Sequence, residues 1–217
     1  MSIRKVDFSV NEYYHLYNRG NSKQIIFKDE QDYNHFMKLL FLCNSQKSIV
    51  YRDISKNTFD FDREETLVHI GAYCLMPNHF HLLVKEEVEN GISRFMQKLT
   101  TAYVMYYNKK YKRTGALFEG KFKSQHISID RYMKYLFSYI HLNPIKLIES
   151  GWKEKGIKNT ENALRYLKAY QYSSYLDYLK EDRIKRKILN KKEFPKYFSS
   201  KNSFEREILD WLKYKKQ

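Results

Sequence analysis

The sequence predicts an α+β fold on the ferredoxin-like plan: an antiparallel sheet with helices on one face, followed by a basic helical C-terminal extension. Three observations predict it. Alternating or continuously apolar segments near residues 13–20, 66–76, 79–86 and 121–128 read as strands. Segments after Asp29 and Gly91 repeat apolar residues at three- and four-residue steps, as helices do. The resulting order is β-α-β-β-α-β, with a further helix behind it.

The first strand, YYHLYNRG (13–20), alternates and ends at Arg19-Gly20. The first helix opens with Asp29, Glu30 and Asp32, acidic residues that suit the positive end of the helix dipole. Tyr33, Phe36, Met37 and Leu40 continue it to about Asn44. A polar stretch at 52–65 reads as a loop. The runs TLVHIGAYCLM (66–76) and HFHLLVKE (79–86) are joined by the turn signal Pro77-Asn78, which predicts a hairpin. Residues 91–111 form the second helix, with Ile92, Phe95, Met96, Leu99, Ala102 and Tyr106 as its apolar stripe. KFKSQHIS (121–128) alternates as a fourth strand. Asp130 opens a helix through about Leu142, stopped by Asn143-Pro144.

Beyond Pro144 the character changes. Residues 145–179 read as helical and include the Tyr-rich run YQYSSYLDYL. From Lys180 to Gln217 there are 13 basic and 6 acidic residues, with a last amphipathic helix at Phe204–Tyr214. This divides the chain into a core unit, 1–145, and an extension, 146–217. There is no repeat at solenoid period.

Composition narrows the partner. The chain has 217 residues, 42% of them hydrophobic, enough for one sizeable core, and only 7 Gly and 3 Pro, too few for long flexible linkers. No apolar run reaches the roughly 18 residues of a membrane span, and MSIRKVDFSVNEYY lacks the apolar stretch of a signal peptide. A cytoplasmic protein is therefore expected. Cys43 and Cys74 sit in apolar segments and read as reduced core residues. A net charge of +15 favours a polyanion, nucleic acid ahead of a membrane surface. Twenty Tyr and 14 Phe among those cations suit unpaired bases and phosphates together.

Two places could carry chemistry. His79 and His81 flank Phe80 in a strand, so their imidazoles project from one face while Phe80, Leu82 and Val84 point to the other. Paired imidazoles can bind one divalent ion. Tyr139 and Asn143 are four residues apart on a helix and share its face. Asn143 could supply a third ligand through its amide oxygen, with Tyr139 one turn away. Structural readings compete with these. An isolated His-x-His is as readily a hydrogen-bonded pair, and Tyr132, Tyr135 and Tyr139 would equally serve as a packed face. His141 lies about 200° round the helix from Tyr139 and should face away. Tyr135, one turn back on the same face, is the stronger rival.

Four ordered blocks resolve the ambiguity by resemblance. MPNHFHLLV resembles the HUH motif of the single-tyrosine transposases, and YHLYNRGNSKQIIF, RTGALFEGKFKS and YLFSYIHLNPIK also look like that family, in particular its REP-associated tyrosine transposase branch. The resemblance covers roughly residues 10–150, plus YSSY at 172–175. It implies a catalytic domain over 1–145 with His79 and His81 as metal ligands, Tyr139 as nucleophile and Asn143 as third ligand to a divalent ion, Mg²⁺ or Mn²⁺. Arg19, Lys121 and Lys123 fall in blocks that approach DNA. The implied substrate is single-stranded or hairpin DNA, with no membrane and no small-molecule substrate. The wider group includes dimers that exchange the tyrosine helix; the branch resembled works more often as a monomer.

A free phenol has a pKa near 10, so only about one in a thousand is ionised at neutral pH, and a nearby cation favours the phenolate. Such a nucleophile would leave a 5′-phosphotyrosine link. The rival reading from another class is a non-catalytic nucleic-acid-binding module on the same sheet, for which the two histidines and Tyr139 are packing or stacking residues. A second rival is a metallonuclease in which water attacks and Tyr139 is dispensable.

Overall fold

The computed structural model describes residues 7–47, 57–179, 182–197 and 201–213. The four strands are β1 (Tyr13–Arg19), β2 (Val68–Met76), β3 (His79–Glu86) and β4 (Lys123–His126), in the spatial order β2-β3-β1-β4 with every pair antiparallel. That is the order expected of the ferredoxin-like plan.

Helices α1 (Glu30–Leu42) and α2 (Gly91–Lys110) lie over one face. Leu16, Phe80, Leu82 and Val84 meet Phe36, Met37, Leu40, Phe95, Leu99 and Tyr103 there in one sealed apolar cluster. Asp29 is the N-cap of α1, its carboxylate accepting from Asp32 N at 3.0 Å. The helix stops at Leu42, short of Asn44, because the Asn44 amide is used elsewhere. It donates to Val68 O and accepts from the Leu67 and Val68 amides, fastening α1 to the start of β2. Of the polar stretch at 52–65, residues 52–56 lie outside the described residues. Thr58–Asp60 forms a single 3-10 turn that buries Phe59 against Phe41.

The second face is divided. Over β2 and the far half of β3, Ala72, Cys74, Met76 and Leu83 pack on α3 (Asp130–Leu142) and on the extension, through Trp152, Leu167, Tyr175, Phe194 and Phe204. Among the described residues, the part of this face that carries Tyr17, Arg19, His79, His81 and Lys123 stays open, a narrower opening than a bare sheet would leave. Both cysteines are buried free thiols, as expected.

The extension contains α4 (Trp152–Lys155), α5 (Thr160–Ala169), α6 (Tyr175–Leu179) and α7 (Lys201–Lys213). Tyr214, at the expected end of the last helix, lies outside the described residues. The expected helical run over 145–179 is broken at 170–174, which lies extended along the free edge of β2. Leu75 N donates to Tyr172 O and Ser174 N to Tyr73 O, each at 2.9 Å. Ser174 Oγ also accepts from Tyr73 N at 3.0 Å, the competition from a serine hydroxyl that disfavours helix. The segment thereby covers an exposed sheet edge. Gly71 sits at a β-bulge between Ile70 and Ala72, and the Phe194 ring occupies the space where a side chain would stand.

The strand expected at 121–128 shortens to Lys123–His126. It pairs on one side only, with β1, and follows Gly120 at φ +70°.

Candidate active site

Strand register builds the site. Paired residues of neighbouring strands project to the same face, and here Cys74, His81, Tyr17 and Lys123 form one row across the sheet. Met76, His79 and Arg19 form the next row. Leu16 is committed to the α1–α2 core, so alternation sends His15, Tyr17 and Arg19 to the histidine face. Three separate sequence blocks thus converge.

The turn that starts β3 is clamped by the loop after β1. Gly20 N donates to Asn78 O, and Ile26 N and Phe27 N both donate to Pro77 O, at 2.8 to 3.0 Å. At Gly20 a side chain would collide with the Gln24 carbonyl, so the close approach depends on glycine.

Above these rows stands α3. Its Tyr139 ring lies 5.5 Å from the His81 ring and 6.5 Å from the His15 ring, edge-on to both. The His79 and His81 rings are 5.1 Å apart. His79 Nδ1 meets Asn78 Oδ1 at 2.6 Å, and His81 Nδ1 meets His15 Nε2 at 2.9 Å. In both rings Nδ1 is engaged by a neighbour, so Nε2 is the nitrogen placed to meet a ligand. His15 is only 6% exposed, and burial holds its pKa down to about 4, so it is neutral near pH 7.

These groups open on a cavity of about 320 Å³, walled by Tyr17, Arg19, His79, His81, Tyr139 and Lys146 among others. Its four cations, Arg19, Lys23, Lys123 and Lys146, face one carboxylate, Glu119. Arg19 is ion-paired with Glu119, whose carboxyl is held below its usual range by the guanidinium. The Lys146 ammonium lies 5.6 Å from the centre of the Tyr139 ring. Such a cavity suits a phosphate backbone.

The sequence-derived residues do not all assemble here. His79, His81, Tyr139, Arg19 and Lys123 share the cavity. Asn143 is fully buried one turn beyond Tyr139, at the C-cap of α3. Its Nδ2 donates to Tyr139 O at 3.3 Å, and its Oδ1 is buried without a hydrogen bond. Lys121 lies elsewhere, in a groove of about 560 Å³ along α2 beside Thr101, Met105 and Phe122. Among the described residues no three His, Cys, Asp or Glu side chains cluster as a metal site, so any ion here needs the carboxamide or substrate oxygens besides the imidazoles.

Of the rivals on α3, Tyr135 is 39% exposed and stacks on Tyr139 at 6.1 Å, outside the cavity wall. His141 faces away, as its helical phase predicts: it is buried and bonded to Ser174 Oγ at 2.7 Å and Phe137 O at 2.9 Å. Sequence reasoning missed His15, Tyr17, Lys23, Asn78, Glu119 and Lys146. For His15 and Tyr17 the signal was present, since they share strand parity with Arg19. Lys146 reaches the cavity only because the chain turns through Pro144 after α3, which spacing alone does not reveal.

The chain was also compared with known proteins. A family model described as transposase IS200-like matches residues 10–143. No curated protein matches it. Among solved structures, a REP-associated tyrosine transposase bound to a REP hairpin is 14% identical with a TM-score of 0.47, over 82% of this chain and 85% of that one. A bacterial tRNA(His) guanylyltransferase-like protein in complex with ATP is 10% identical with a TM-score of 0.39, over 77% of this chain and 72% of that one. The family match spans more than half of the chain, including all four strands and the helix that carries Tyr139, and the protein belongs to the IS200-like transposase family.

Proposed function

We propose that this transposase nicks and rejoins single-stranded or hairpin DNA, with Tyr139 as nucleophile and His79, His81 and Asn143 holding Mg²⁺ or Mn²⁺. The observation that carries the reading is the opening of the Tyr139 phenol and both imidazoles on one cation-lined cavity. The donor set fits a divalent ion: two adjacent imidazoles whose Nδ1 atoms are already engaged, and a buried amide oxygen that accepts no hydrogen bond. When bound, such an ion withdraws charge from the attacked phosphate and favours the phenolate.

The remaining work falls to the chain itself. Lys23, Lys123 and Lys146 hold the backbone phosphates, with Arg19 shared between the DNA and Glu119. Tyr139 Oη attacks phosphorus; the tyrosyl O–P bond forms as the P–O3′ bond breaks, and the phenolic proton ends on the released 3′-hydroxyl. The 5′-phosphotyrosine link conserves the energy of the broken bond, so a 3′-hydroxyl can reverse the step without a nucleotide cofactor. An unpaired strand is the substrate because a duplex backbone would be hard to thread into a pocket on a sheet. The sequence resemblance to the REP-associated branch favours a hairpin beside that strand, a monomer with α3 in place, and action in the cytoplasm. Residues 1–145 act as the catalytic domain and 146–217 as the extension that buttresses α3.

The test is a labelled hairpin DNA bearing a single-stranded flank, incubated with Mg²⁺ or Mn²⁺ and then denatured. Labelled protein is expected. Cleavage without an adduct would instead mean water attack, and binding without cleavage would mean a binding module.

A further inference from the structure

We propose that His15 is a positioning residue that fixes the tautomer of His81, so that His81 presents a lone pair at Nε2 to the cavity. The inference rests on the metal-ligand reading of His81.

Register places His15 on the same face as His81 and one pair along, a diagonal cross-strand neighbour. The two rings are 5.1 Å apart and 23° from parallel, with His15 Nε2 and His81 Nδ1 at hydrogen-bond distance, 2.9 Å. The ring of His15 also stacks on Tyr17 at 4.9 Å and meets the edge of Tyr139 at 6.5 Å. A buried imidazole here carries a desolvation cost that an apolar side chain would not, and its hydrogen bond to His81 offsets that cost.

A neutral imidazole has one N–H donor and one acceptor nitrogen. Two arrangements of the pair follow. If His15 Nε2 accepts, His81 carries its proton on Nδ1 and keeps a lone pair on Nε2. If His15 Nε2 donates, His81 carries its proton on Nε2 and is no ligand. The neighbouring histidine points to the first. His79 Nδ1 faces the Asn78 amide oxygen, a pure acceptor, so His79 holds its proton on Nδ1 and its lone pair on Nε2. With His15 as acceptor the two histidines match, and both present Nε2 (Asn78 serving His79 as His15 serves His81).

Two measurements on the full chain test this. The first is the imidazole ¹⁵N spectrum of the metal-free protein: His81 is expected as the Nδ1–H tautomer, and an Nε2–H tautomer overturns the proposal. The second is Mn²⁺ binding followed by electron paramagnetic resonance. His15→Phe keeps the volume and the stacking but removes the acceptor, and should weaken Mn²⁺ binding by about 10–100-fold. His15→Gln restores an amide oxygen near the lost Nε2 and should recover most of that loss. Equal Mn²⁺ affinity of the parent and His15→Phe overturns the proposal. If the parent binds no Mn²⁺, the metal reading fails by itself, while the tautomer still decides the role of His15. If His15→Phe does not fold, the parent spectrum and His15→Gln still decide.

Discussion

On the face under α1 and α2, β1 and β3 present Leu16, Phe80, Leu82 and Val84, all fully buried. One residue out of phase, the same strands present Tyr17, Arg19, His79 and His81 to a cation-lined cavity, with His15 buried and bonded to His81. Alternation at period two lets one short stretch of chain both stabilise the fold and line the cavity. The two faces should therefore fail differently. Loss on the sealed face costs folding, and loss on the cavity face costs activity.

The largest effect expected is on the cavity face. His81→Ala should weaken divalent-ion binding by at least the roughly 10–100-fold that even outer partners of metal ligands carry, and reduce adduct formation accordingly. Its urea stability should fall by only about 1–3 kcal/mol, the cost of leaving the buried His15 imidazole without its partner. Leu82→Ala should do the reverse, costing about 2–5 kcal/mol in urea unfolding while the folded fraction keeps its ion affinity. Equal damage to stability from both substitutions would break the comparison.

A smaller effect separates Lys123 from Lys121. Lys123→Gln should weaken binding of single-stranded DNA and lower the slope of log affinity against log salt by about 0.7, the contribution of one phosphate contact. Lys121→Gln, in the α2 groove, should leave DNA-adduct formation within about twofold and the slope nearly unchanged. A salt titration by fluorescence anisotropy checks both.

The smallest effect is a pH slope from the sealed side. His35 stacks on Tyr106 at 3.8 Å, and its pKa is lowered from 6.5 to about 4 by burial and then by Lys38. Between those values the unfolded chain binds the extra proton. The His35 contribution is present above pH 6.5 and is lost as pH falls toward 4. Asp177, raised from 3.8 to about 6 by burial, acts oppositely: its contribution is lost as pH rises through that range. His35→Gln should therefore flatten the loss of urea stability on acidification, and an unchanged slope would remove His35 from the account.

How much was legible in the sequence follows the same division. Periodicity located β1, β2, β3 and the three main helices, where burial forces an apolar pattern, and it placed β4 although that strand is mostly exposed. It missed where polar side chains overrule the backbone, as with Asn44 ending α1 and Ser174 turning 170–174 along the sheet edge. In the site, the His79–His81 pair and the Tyr139–Asn143 spacing were readable as local geometry. Their choice over rival tyrosines came from resemblance, and the cavity now separates Tyr139 from Tyr135 by position. His15 was legible through its strand parity with Arg19, whereas Lys146 and the separation of Lys121 from Lys123 needed tertiary placement, which no local pattern contains.

The most direct test of the account is to trap the DNA-linked protein and identify the modified residue by peptide mass spectrometry. The account predicts a nucleotide adduct on Tyr139, lost in Tyr139→Phe and retained in Tyr135→Phe. An adduct on Tyr135, or one that survives Tyr139→Phe, would contradict it.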